Sequence, residues 1–127
     1  MPRDFDAAGR IRNTHGAYPD AVRAVASEEN VPLLDLEQAS IAFYEALGPT
    51  DAPLAFSNGG RDATHHNNFG AYELAKAVAQ QIRDARLPLA AHLTPDFDGY
   101  DPARPADPRT FALPKSRERT TLAPRGN

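Results

Sequence analysis

Half of the chain's twelve prolines fall between residues 94 and 127, in a stretch with few apolar side chains and no helical or strand period. Proline fixes φ and removes a backbone donor, so such a stretch cannot run as regular helix or central strand. Any packed core must therefore come from residues 1–93. Residues 94–127 read as an extended or disordered Pro-rich tail, with Phe97, Tyr100, Phe111 and Leu113 as anchor points on a surface.

The 127 residues suffice for one domain, which at this size buries about two thirds of its unfolded surface. A net charge of -3 speaks against nucleic acid or an anionic membrane as partner, since both demand a clustered basic excess. The basic run Lys115-Ser116-Arg117-Glu118-Arg119 is short, broken by Glu118, and reads as a solvated tail. Without cysteine there is no disulfide framework, zinc ribbon or thiol nucleophile. The first residues carry no apolar signal-peptide core, and no segment approaches the roughly 18 apolar residues that span a bilayer.

Residues 1–17 are polar and read as a loop. Pro19 suits a first helical turn, Asp20 complements the dipole, and Val22, Val25 and Ala26 form a stripe that runs to about Glu29, with Asn30 as a left-handed stop. The run Val31-Pro32-Leu33-Leu34-Asp35-Leu36 predicts a short buried strand, and helix followed by strand without a hairpin turn predicts α/β architecture. Ile41, Phe43, Tyr44 and Leu47 predict a second helix closed by Gly48-Pro49. A long Gly/Asn/Asp-rich loop over residues 49–67 follows. Asn67 or Asn68 then caps a third helix, whose expected buried face is Phe69, Tyr72, Ala75, Val78, Ala79 and Ile82, ending near Arg86.

The candidate chemistry sits where the loop enters that helix. Asp62 precedes His65 by three residues, a spacing that lets a carboxylate fix an imidazole's tautomer and stabilise the imidazolium formed when it takes a proton. The bland alternative is an Asx-turn or cap at Asp62 beside a solvent-facing loop histidine. A metal site at Asp62, His65 and His66 is disfavoured, because adjacent loop histidines point apart and no third ligand stands at a recognised spacing; no metal and no cofactor is expected. His15 and His92 are isolated. Of the serines Ser27, Ser40, Ser57 and Ser116, only Ser57, in Ala55-Phe56-Ser57-Asn58-Gly59, loosely echoes a nucleophile elbow, and Pro53 and Gly59-Gly60 leave no room for the strand and helix that elbow needs. Gly59-Gly60 also lacks the strand, lysine and helix of a phosphate loop.

The segment Asp62-Ala63-Thr64-His65-His66-Asn67-Asn68-Phe69-Gly70-Ala71-Tyr72-Glu73-Leu74-Ala75 resembles the last conserved block, D-x-x-H, of the SGNH (GDSL-type) hydrolases, in the form D-x-T-H-x-x-x-x-G-A-Y of the rhamnogalacturonan acetylesterase branch. Phe5-Asp6-Ala7-Ala8-Gly9-Arg10, Thr14-His15-Gly16-Ala17-Tyr18-Pro19, the run from Val31 to Leu36, and Tyr44-Glu45-Ala46-Leu47-Gly48-Pro49 are similar to that branch in the same order. The likeness covers about residues 3–93.

The resemblance implies a three-layer α/β/α, flavodoxin-like fold with a parallel sheet, of which residues 1–93 are the C-terminal part. It also implies a Ser-His-Asp triad that deacetylates pectic polysaccharide, with His65 matching the general base and Asp62 its orienting carboxylate. The family's nucleophilic serine, in a G-D-S block, and its Gly and Asn oxyanion donors belong to blocks expected before Met1. The chain alone is therefore expected to be inactive, and to partner an acetylated polysaccharide or small ester together with a separately encoded N-terminal half. The family's implied location is extracellular or periplasmic; the chain itself carries no address. The competing expectation is a non-catalytic α/β domain that binds sugar or a partner protein.

Overall fold

A computed structural model describes residues 4–62 and 64–113; the basic run from Lys115 to Arg119, Ser116 and the remainder of the tail lie outside the described residues. Among the described residues, three α-helices carry the architecture. Helix α1 spans Tyr18–Glu28, with proline in its first turn and a stop at Asn30, whose φ of 51° is the left-handed conformation expected from the sequence. Helix α2 spans Leu36–Asp51 and is N-capped by Asp35, which accepts the Gln38 N–H; its regular winding breaks at Gly48 (φ 71°), just before Pro49. Helix α3 spans Asn68–Asp84. Between α2 and α3 the chain folds into two short 3₁₀ turns, Ala52–Ala55 and Ser57–Gly60.

The core lies between α2, α3 and these turns: Phe43, Tyr44, Ala52, Ala55, Phe56, Phe69 and Leu74 form it, with Phe5, Ile11, Leu36, Leu47 and Phe111 packed around them. Its aromatic rings meet in tilted pairs, Phe43 to Tyr44 at 5.2 Å and Phe43 to Phe69 at 5.8 Å between centroids, the geometry that ring quadrupoles favour.

The described residues are mainly helical, and their β pairing consists of the isolated antiparallel bridges Phe5–Ile11 and Phe56–His66, so no parallel sheet is seen among them. Residues 31–35 run without a ladder, because strand N–H and C=O groups need a neighbouring strand and none of the described residues runs beside them. The stripe on α1 is correspondingly uncovered, with Val22 and Val25 both 55% exposed and Val31 53%. An arginine fastens this layer instead: Arg23 Nε meets Asp35 at 2.7 Å and its Nη2 meets Glu37 at 2.7 Å, tying α1 to the start of α2.

One expectation is corrected, and the correction is rotational. Helix α3 buries Phe69, Gly70, Glu73, Leu74, Ala77 and Ile82, whereas Tyr72 and Ala75 face outward. Glu73 is fully buried, and a buried carboxylate needs a partner. Lys76 supplies it at 2.7 Å, and the Lys76 ammonium in turn lies 4.5 Å from the centroid of the Tyr100 ring. Burial first, and the Glu73 carboxylate second, hold the Tyr100 phenol above its usual pKa.

The described part of the Pro-rich segment is thereby strapped along α3. Tyr100 donates its N–H to Gln80 at 2.9 Å, the Phe97 ring faces the Arg83 guanidinium, and Phe111 packs edge-on to Phe69 at 5.2 Å and beside Tyr72 at 5.5 Å. Arg109 grips Asp51 at the end of α2 with two hydrogen bonds, of 2.8 and 2.6 Å.

Candidate active site

Asn67 builds the entrance to α3. Its side-chain oxygen accepts the Gly70 N–H at 3.1 Å, while its amide donates to the Leu54 carbonyl at 2.6 Å and the Phe56 carbonyl at 3.2 Å. One residue thus caps the helix and holds the 3₁₀ turns against it. The Phe56–His66 bridge continues that junction, with the Ser57 N–H donating to the His65 carbonyl at 2.9 Å.

On this frame Asp62 does two things at once. Its Oδ1 accepts the N–H groups of Thr64 (2.9 Å) and His65 (3.1 Å), closing an Asx-turn, and its Oδ2 meets His65 Nδ1 at 2.9 Å. Turn and pair are not alternatives here, since each carboxylate oxygen serves one of them. The imidazole is 76% exposed, so its Nε2 edge is open to solvent, whereas Asp62 is two-thirds shielded at 32%.

The Thr64 N–H, the His65 side chain and then the His65 N–H stabilise the charged form of Asp62 and hold its pKa down at about 2, below its ordinary 3.8. A depressed carboxylate stabilises the turn fully above its ordinary pKa, and that contribution is lost as pH falls through the folded value. The acid-range step that the Asp62 carboxylate imposes on the Thr64 and His65 amide resonances should therefore have a common midpoint near 2. A common midpoint at 3.8 would mean that the turn does not hold in solution.

The histidine doublet splits. His66 turns inward, where its Nε2 lies 2.7 Å from the Tyr44 hydroxyl and its ring lies 4.6 Å from that of Phe56. The two imidazoles are thus committed to different partners and do not converge with Asp62 on one point. Sequence reading missed the Tyr44–His66 contact; a tyrosine in an apolar stripe, whose hydroxyl needs a partner once buried, was the available signal.

Ser57 is a turn serine whose hydroxyl donates to the His66 carbonyl at 3.3 Å, and Ser40 bonds the Glu37 carbonyl at 2.8 Å. Ser27 lies exposed on α1. Among the described residues, no serine hydroxyl is hydrogen-bonded to the His65 imidazole. An apolar groove of about 380 Å³ lies elsewhere, between Tyr18 and Val22 of α1 and Leu33 and Leu34.

The chain is 41% identical over 102 residues to the rhamnogalacturonan acetylesterase RhgT of Bacillus subtilis (strain 168), a match spanning 72% of this chain and 44% of that protein. It is 42% identical over 83 residues to the probable rhamnogalacturonan acetylesterase YesY of the same organism, spanning 64% of this chain and 38% of that one. The uncharacterized esterase YxiM, also from Bacillus subtilis (strain 168), is 30% identical over 80 residues, or 63% and 20% of the two chains. No protein-family model matches the chain. No solved structure matches it either. The chain spans less than half the length of the curated relatives it matches. Similarity at this level, over the segment that carries the D-x-T-H block, supports the likeness of this chain to the rhamnogalacturonan acetylesterase-like branch of the SGNH hydrolases.

Proposed function

We propose that this chain is the C-terminal portion of a serine carbohydrate esterase that removes acetyl groups from pectic polysaccharide, with His65 as general base and Asp62 as its orienting carboxylate. The observation that carries the reading is the 2.9 Å contact between Asp62 Oδ2 and His65 Nδ1 in a ring whose other edge is open. A carboxylate at Nδ1 places the proton there, leaving the Nε2 lone pair to accept a proton from an attacking hydroxyl.

The chemistry then runs as two acyl transfers. A serine Oγ, supplied by the other portion of the enzyme, gives its proton to Nε2 and bonds the acetyl carbon; the imidazolium returns that proton to the leaving sugar oxygen. Water repeats the sequence on the acetyl-enzyme and releases acetate. Oxyanion donors come from that same other portion, each worth on the order of 3 kcal/mol to the transition state.

The α/β class fits the family, and within it residues 31–35 would enter a parallel sheet when the other portion lies alongside. Two features support that reading. The side chains of Val22, Val25, Val31 and Leu33 form an exposed apolar face, and the Leu33 and Leu34 N–H groups have no partner among the described residues. Residues 1–93 are then the SGNH part, and residues 94–127 a tail whose described stretch straps α3.

The test is acetate release from acetylated rhamnogalacturonan and from a chromogenic acetate ester, by the purified chain and by the chain joined to the part of RhgT that it does not match. Activity confined to the joined form is expected. Activity in neither form would shift the assignment to a sugar-binding or partner-binding domain. Activity in the lone chain would show that it holds a nucleophile of its own, with Ser57 the first residue to replace.

A further inference from the structure

We propose that Tyr44 and His66 are a positioning pair that aims the His65 imidazole, an inference that rests on reading His65 as the base. His66 pairs with Phe56 in an isolated antiparallel bridge with its ring turned inward, while the ring of the adjacent His65, whose carbonyl accepts the Ser57 N–H, stands in solvent. Whatever fixes the His66 ring therefore fixes the end of the turn from which the His65 ring projects.

Tyr44 provides that hold. It projects from α2, is 1% exposed, and meets His66 Nε2 at 2.7 Å, with the two rings nearly parallel at 7°. Phe56, 4% exposed, packs against the His66 ring at 4.6 Å and against that of Tyr44 at 5.5 Å. His65 has no such packing of its own. Its ring is held by an exposed carboxylate contact, and its peptide unit by the Ser57 N–H at 2.9 Å. The Tyr44–His66 bond thus ties the turn that carries a solvent-facing imidazole to a fully buried ring of α2, across 22 residues of sequence. Removing the hydroxyl takes away the 2.7 Å contact that pins the His66 ring, a loss that favours swinging His66 outward and opening the bridge beside His65.

The experiment is an imidazole nitrogen spectrum of the full ¹⁵N-labelled chain at neutral pH, which reads which ring nitrogen of His65 carries the proton. The parent chain should show the Nδ1–H form. Asp62→Asn, which removes the carboxylate directly, should lose it. Tyr44→Phe should lose it too, although Asp62 is intact, while the amide resonances of Tyr18–Glu28 stay in place. His66→Gln, whose amide reaches about as far as Nε2, should restore the Nδ1–H form, whereas His66→Ala should not.

Retention of the Nδ1–H form in both Tyr44→Phe and His66→Ala would overturn the positioning role. Loss of the fold in both would do so as well, since the contact would then be a general core element. If Asp62→Asn also leaves the His65 tautomer unchanged, the failure belongs to the Asp62–His65 pair and hence to the esterase reading.

Discussion

In an enzyme assembled from this chain and a serine-bearing portion, Asp62→Asn is expected to lower kcat about 10⁴-fold while leaving KM and the fold nearly unchanged. The asymmetry of the Asp62 carboxylate explains both halves of that result. Its Oδ1 accepts two backbone N–H groups, from Thr64 and His65, and an asparagine satisfies them by keeping its oxygen there. Its amide NH₂ then occupies the Oδ2 place, 2.9 Å from His65 Nδ1. A donor at that position demands an acceptor, so Nδ1 gives up its proton and Nε2 takes one. The imidazole is then present, correctly placed and in the wrong tautomer. Steady-state acetate release measures the effect; kcat within tenfold of the parent would remove Asp62 from the mechanism.

That asymmetry was half legible in the sequence. The spacing of Asp62 and His65 within one turn announces that they can touch, and the asparagines after them announce a cap; both follow from local backbone geometry. The stop at Asn30 and the break at Gly48 are legible for the same reason, since each depends on the φ of a single residue. What the sequence did not disclose depends on distant partners. Nothing near Glu73 signals that Lys76 and Tyr100 make its burial tolerable, and nothing near His66 signals Tyr44. The expected face of α3 was turned for this reason: Tyr72 was assigned to the core by its helical spacing, but it stays 43% exposed with Phe111 packed beside it. The strand at residues 31–36 is the extreme case. Its apolar run is that of a buried strand, yet strand structure belongs to the ladder and not to the segment.

Gly70→Ala is expected to cost at least about 3 kcal/mol of stability, although alanine is the better helix former by about 1 kcal/mol. Gly70 does not take a positive φ, so conformational freedom is not what requires it. Space is. A Cβ at this position would overlap the Ala55 carbonyl oxygen outright and lie 2.8 Å from Cδ2 of His66. Neither neighbour can retreat cheaply. The Ala55 carbonyl accepts the Asn67 N–H at 3.1 Å, and Ala55 itself is fully buried. His66 is held by Tyr44. Backing α3 away from the turn would therefore break the Asn67 junction, open the bridge at His66 and release the loop that carries Asp62. Urea denaturation of Gly70→Ala beside Ala71→Ser, an exposed position in the same helical turn, separates close approach from helix propensity. The first should lose most of the chain's stability and the second less than about 0.5 kcal/mol. A Gly70→Ala protein as stable as the parent would mean that α3 does not sit on the Ala55 carbonyl, and the anchoring of the His65 loop would have to be sought elsewhere.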